Sequence, residues 1–157
     1  MVKTAYHAKI GKESKTAKAT LKNARVSLKF STEMFREITG QPVDKAIKRI
    51  QRIAEKDEML PLKKYNTGVA HHKGDSISGV KSGRYPVYVA KKFIELLELA
   101  KANADFKGLD TEKLLVLHGH ASMGFSRQGL QPQGKIGGKT RKRKSTHLEI
   151  IVTEVKG

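Results

Sequence analysis

Leu114-Leu115-Val116-Leu117 and Leu148-Glu149-Ile150-Ile151-Val152 are two hydrophobic runs of strand length, and the chain between them decides the fold. Residues 113–148 hold no acidic residue but eight Lys and Arg: Lys113, Arg127, Lys135, Lys139 and the block Arg141-Lys142-Arg143-Lys144. Gly124, Gly129, Pro132, Gly134, Gly137 and Gly138 punctuate the middle. Two strands joined by a long, Gly-rich, purely cationic segment read as an extended β-hairpin, spanning 114–155, whose tip cannot bury itself in its own protein. A cationic arm without a core needs an anionic partner, and nucleic acid is the obvious one. With about fifteen residues per arm beyond the body, at roughly 3.3 Å each, the expected reach is on the order of 50 Å.

Upstream of the hairpin the apolar residues repeat at helical spacing. Leu28, Ser31, Phe35 and Ile38, with Met34 beside them, share a face of a first helix; Gly40 closes it and Pro42 opens the next. Ala46, Ile47, Ile50, Ile53 and Ala54 line a second helix from Val43, with Lys45, Lys48, Arg49 and Arg52 opposite. After Pro86, a third carries Ala90, Phe93, Leu97, Ala100 and Ala104, widened by Val89, Ile94 and Leu96. Residues 20–26 are a candidate further strand. The expected architecture is α+β and a single domain over 1–157: three helices packed on a small antiparallel sheet, with the last two strands continuing as the long extended β-hairpin.

Composition sets the bounds. A chain of 157 residues suffices for one domain with a modest core. A net charge of +17 opposes compaction unless something neutralises it. The absence of cysteine excludes disulfides and thiolate metal sites, and no apolar run is long enough to span a membrane. The expectation is a soluble, intracellular chain, mature as written. Charge is also segregated. Residues 1–32 carry eight basic groups, among them Lys12, Lys15, Lys18, Lys22 and Arg25, against Glu13 alone. Residues 33–58 balance six acids with six bases, and 95–112 are acidic. This alternation suggests a compact body bearing several basic anchors.

Between residues 57 and 85 the periodicity fails, leaving a basic inserted loop. Lys63, Lys64, His71, His72, Lys73, Lys81 and Arg84, interleaved with Tyr65 and Tyr85, suit phosphate contacts with aromatic stacking on exposed bases. A solvated flexible loop is the plainer alternative, and the neighbouring basic anchors favour binding. Such a loop holds too few apolar residues to offset its ordering entropy and is expected to order only on a partner.

Catalytic arrangements fail on spacing. Gly138-Lys139-Thr140 resembles the end of a phosphate-binding loop, but its required first glycine falls on Gln133, and a strand follows where a helix is needed. His118 and His120 lie on one face of a strand with no third metal ligand at a recognisable spacing. Glu95 and Glu98 belong to a solvated helix face with no cleft. No enzyme, cofactor or metal emerges from these residues.

The order Arg25-Val26-Ser27, Gly40-Gln41-Pro42-Val43, Ala46, Ala102-Asn103-Ala104, Gly108-Leu109-Asp110 and Leu114 resembles the large-subunit ribosomal protein family numbered twenty-two in bacteria and seventeen in eukaryotes. The resemblance covers nearly the whole chain. Tyr65-Asn66, Gly68-Val69, His71 and Gly83-Arg84-Tyr85-Pro86 in the inserted loop are similar to its archaeal and eukaryotic branch. The resemblance implies an α+β body on the outer face of the large subunit, near the mouth of the exit tunnel. It also implies a hairpin threading through ribosomal RNA to line that tunnel, with neighbouring ribosomal proteins and the nascent polypeptide as partners and the cytoplasmic ribosome as location. The tunnel tip then falls on Gly129, Leu130, Gln131, Pro132, Gln133, Gly134 and Lys135. Where the family commonly reads Arg-Ala-x-Gly-Arg, this chain reads Gln131-Pro132-Gln133-Gly134-Lys135; the lysine keeps charge but loses the planar fork of arginine. The cluster Arg141, Lys142, Arg143, Lys144 and the pair His147-Leu148 fall where the returning strand meets RNA in the family. The expected function is a structural constituent of the large subunit that binds its RNA. The alternative is a free-standing RNA chaperone or nucleoid-type protein using the same arm.

Overall fold

The computed structural model describes residues 6–8, 13–73 and 78–155. A three-stranded antiparallel sheet is ordered β1 (Thr16–Ala24), β7 (Thr146–Glu154), β4 (Leu114–Met123), so the last strand is the central one. The register pairs Ala17 with Val152 and Ala19 with Ile150 on one side of β7, and Val116 with Val152 and Gly119 with Ile150 on the other. These residues share the buried face of the sheet. Three helices follow the expected order: α1 (Leu28–Ile38), α2 (Val43–Glu55) and α3 (Val87–Phe106). Helix α3 lies against α2, β1 and β7, while α1 covers β4. Phe93, Leu96, Leu97, Met34, Ile38, Ile50 and Ile53 are fully buried between these layers. This is the α+β fold read from the sequence, including the hairpin.

Turn chemistry sets the helix ends. Gly40 adopts φ +83, which a residue with a Cβ rarely does, and its N–H donates to Val116 O at 2.8 Å. Val116 N in turn donates to Gln41 O at 2.9 Å, so the α1–α2 turn covers part of the free edge of β4.

Four details depart from the sequence reading. Strand β1 starts at Thr16, earlier than the 20–26 expected, because the small Ala17 and Ala19 fit beneath α3. The 57–85 segment is not structureless at its ends. Met59, Leu60 and Leu62 are core, and β2 (Leu60–Pro61) pairs with β3 (Gly83–Arg84) to clip the loop shut. Arg49 does not face solvent; it turns inward between Glu37 (2.8 Å) and Glu58 (3.2 Å). Finally, β4 and β7 stay inside the sheet as far as Met123 and Thr146. Only residues 124–145 project, about eleven per arm, so the arm reaches about 35 Å at most at roughly 3.3 Å per residue, short of the expected length.

One close approach holds α1 on the sheet. A Cβ at Gly119 would lie 2.1 Å from the Phe35 ring, which itself packs on Phe93 with centroids 4.6 Å apart. The ring needs bare backbone beneath it. Gly119→Ala is expected to destabilise the fold by about 1–3 kcal/mol, the range for overpacking a core, read as a lowered midpoint in thermal or denaturant unfolding. An unchanged midpoint would mean that α1 shifts freely on the sheet.

Candidate nucleic-acid interface

The sequence marks three basic anchors, and the structure sorts their residues into paired and unpaired cations. In the first, Lys15 ends a short 3-10 turn (Glu13–Lys15), and Lys22 and Arg25 are exposed near the end of β1. Lys18 lies 2.6 Å from Glu13, and this hydrogen bond is the main reason the Glu13 carboxyl is held below its ordinary value. Lys12 lies outside the described residues.

The inserted loop is tied to the body at its start. Glu33, fully buried on α1, accepts from Lys64 N (2.6 Å) and Tyr65 N (2.8 Å) through one carboxylate oxygen. Lys63 Nζ pairs with Glu37 at 2.7 Å, joining the network of Arg49, Glu58 and Arg52. The Lys29 and Lys64 ammonium groups each lie 5.6 Å from the centre of the Tyr65 ring. Further along, His71 bridges to Ser82, His72 meets Tyr85 edge-on at 5.2 Å, and Arg84 donates to Ala70 O and Gly83 O. Lys73 and Lys81 are exposed. Of the loop cations, Lys63 and Arg84 are thus engaged within the protein, while Lys64, Lys73 and Lys81 present their charge outward.

Removing the Glu33 carboxylate leaves two part-buried N–H donors unmatched. Glu33→Ala is expected to cost about 1–3 kcal/mol and to speed amide exchange at Lys64 and Tyr65, whereas Glu33→Gln, which keeps an acceptor oxygen, should do so far less. Equal exchange in both variants would show that another contact holds the loop.

The hairpin carries the densest charge. Strand β5 (Arg127–Leu130) pairs with β6 (Thr140–Arg143), placing Arg127 opposite Arg143 and Gln128 opposite Lys142, and every residue of β6 is exposed. Like charges directly opposite across an antiparallel pair destabilise it. At the tip, Gln131 N donates to Lys139 O (3.1 Å) and Gly138 N to Gln131 O (2.8 Å), with Gly134 and Gly138 at positive φ. Arg141 Nε donates to Gln131 Oε1 at 2.7 Å, bracing the turn. Gly129, Leu130, Pro132, Gln133 and Lys135 lie in or beside this turn, and Leu130 is largely exposed.

At the root of the hairpin the structure adds residues the sequence reading did not single out. Asn23, at φ +54, donates its N–H to His147 Nδ1 (3.1 Å) and accepts from Phe125 N (3.1 Å) through its side-chain oxygen. Ser145 Oγ donates to Phe125 O at 2.6 Å. No sequence motif marks this knot, because it depends on strand register. On the open sheet face His118 and His120 share a side as expected, and their rings stack 6.4 Å apart with His7 a further 4.3 Å beyond His120. His120 Nδ1 lies 3.2 Å from Glu149. Stacked rings do not converge on a point, and among the described residues no cluster of metal-ligating side chains occurs. No described helix is long and apolar enough to cross a membrane.

A packed α+β body with exposed basic anchors and a projecting acid-free arm defines a small basic protein of the kind that works against a polyanion. Comparison with known proteins gives the particular case. The family described as ribosomal protein L22p/L17e matches residues 19–153. A large ribosomal subunit protein uL22 from Ignicoccus hospitalis is 38% identical over 142 residues, covering 90% of this chain and 89% of its own length. The uL22 proteins of Aeropyrum pernix (35% identity, 99% and 100% of the two chains) and Methanococcus aeolicus (33%, 90% and 91%) are similar along the same span. The chain belongs to the ribosomal protein L22p/L17e family, in its archaeal form.

Proposed function

We propose that this chain is a structural, non-catalytic constituent of the large ribosomal subunit, built as one domain that binds large-subunit ribosomal RNA, supports assembly and lines the polypeptide exit tunnel with its hairpin. The carrying observation is Arg127 facing Arg143 across a hairpin drawn from residues 113–148, where no acid occurs. Such an arm is self-repelling when free and becomes favourable when its cations neutralise RNA phosphates and release the counterions condensed on the RNA. The naming of similar proteins as large-subunit components supports the location and its cytoplasmic ribosome. The basic loop and the N-terminal anchor extend the RNA contact around the body, and neighbouring ribosomal proteins are its further partners. The tip, with Gln131 and Gln133, one charge at Lys135 and the exposed Leu130 and Ile136, is the surface that a nascent polypeptide would pass.

Replacing Arg141, Lys142, Arg143 and Lys144 by Ala should flatten the salt dependence of affinity for a large-subunit RNA fragment. Every phosphate that ceases to be neutralised lowers the slope by about 0.7–0.9. An unchanged slope would mean that these groups face solvent.

Replacing residues 132–138 with a two-residue turn should leave incorporation into subunits nearly intact while altering the response to macrolides or stalling peptides. Failure to incorporate, with unaltered responses, would make the tip an assembly anchor. Co-sedimentation separates the free-standing chaperone: a constituent stays with the large subunit stoichiometrically, whereas a chaperone washes off in moderate salt.

A further inference from the structure

The hairpin leaves the sheet through an uneven step. Met123 pairs with Thr146 and Arg127 with Arg143, so the outgoing strand uses one more residue than the returning strand between the two registers. An extra residue of this kind bends a ribbon and re-aims a side chain. Here the side chain is Phe125, which is 69% exposed. Both of its backbone polar groups are taken, the N–H by Asn23 Oδ1 and the carbonyl by Ser145 Oγ. Gly124 makes the knot possible, since a Cβ there would lie 2.6 Å from Ser145 Oγ and 2.9 Å from Asn23 Oδ1. The aromatic ring is thus held outward by a pinned backbone, on a surface where an exposed phenylalanine gains nothing from its own protein.

Around it lies a cleft of about 620 Å³, which also brings together Arg25, Arg127, Arg143 and Lys144 from three separate parts of the chain. None of these cations pairs with a carboxylate among the described residues. We propose that this cleft at the root of the hairpin is a site for an unpaired RNA nucleotide, whose base stacks on Phe125 while the flanking phosphates meet Arg25, Arg127, Arg143 and Lys144. The assignment rests on the proposed RNA binding and sharpens it. A base inside a duplex already has both faces stacked and cannot offer one to Phe125, whereas an extruded or single-stranded base can. The volume is that of a small-ligand cleft, and the charge excludes a purely apolar occupant.

The test uses the full-length protein with a six-nucleotide single-stranded RNA carrying one 2-aminopurine, a blunt RNA duplex and an oligoglutamate peptide as probes. The single strand is expected to show base-fluorescence quenching on binding. Phe125→Ala should abolish the quenching and weaken affinity about tenfold, the scale of one base–aromatic stack, while leaving the salt slope unchanged because every phosphate partner is kept. Phe125→Trp should restore both quenching and affinity, and Phe125→Leu should restore neither. Phe125→Ala binding the single strand with wild-type affinity and quenching would overturn the cleft while leaving general RNA binding in place. Competition by oligoglutamate at equal charge with no quenching by RNA would overturn it in favour of an acidic peptide. A wild-type protein that binds none of the RNA probes would remove the RNA reading and the cleft together.

Discussion

Strand β7 is hydrogen-bonded along both edges, to β1 on one side and to β4 on the other, and the rest of the molecule depends on that double pairing. Its residues Leu148, Ile150 and Val152 supply the middle row of the sheet's buried face, onto which α3 and α1 pack. The strand is also near the C-terminus, so Ala17 meets Val152 across almost the whole chain. The sheet cannot close until the hairpin has been made and turned back, which is a high-contact-order arrangement with a correspondingly large loop-closure entropy. The cationic arm is therefore not an appendage to a finished body. Its returning strand is the body's central strand, and any force on the arm is transmitted to the core through β7.

Two populations of charge follow from this layout. Arg49, Glu37, Glu58 and Lys63 form a largely buried network that joins α1, α2 and the start of the inserted loop. Breaking such a network by removing one partner strands a buried charge, so its role is to hold elements in one arrangement. Among the described residues the hairpin cations have no carboxylate partners, and Arg127 and Arg143 are set against each other. At physiological salt, screening acts over about 8 Å, too far to relieve groups on directly opposed strand positions. The body pairs part of its charge internally, whereas the hairpin cations meet no carboxylate among the described residues.

Much of the fold was legible because its periodicities are strong. The apolar rows of all three helices, the positive-φ turn at Gly40 and the two long strands each follow from residue type and spacing. What escaped the sequence were features decided by tertiary context. Ala17 and Ala19 carry too little hydrophobic signal to announce a strand, yet small size is what lets α3 lie over them. Arg49 reads as a solvent-facing cation until Glu37 and Glu58 are brought beside it from elsewhere in the chain. The two-residue strands Leu60–Pro61 and Gly83–Arg84 are too short for any period to reveal. Of the candidate interface, the cationic stretches were visible as composition. Which cations are free, and the presence of Phe125 among them, depended on register and so on the folded sheet.

The same register explains why the arm is shorter than its sequence suggests. A long apolar strand can serve either as projection or as sheet, and β1 decides the matter by pairing with β7 as far as Ala24. Where the β1–β7 register shifts between Leu21 and Ala24, Asn23 adopts a left-handed conformation and accepts from Phe125 N through its side-chain oxygen. The irregular end of β1 therefore lies beside the point where the arm bends away, and Asn23 links the two. Ending the sheet there exposes the unpaired cations of β5 and β6 immediately beyond the core, where a rigid base can hold them in place. The tip beyond is tied by backbone bonds at Gln131 and Gly138 and carries little charge. Charge is thus concentrated at the root, where the scaffold is stiff, while the far end presents Lys135 between the exposed Leu130 and Ile136.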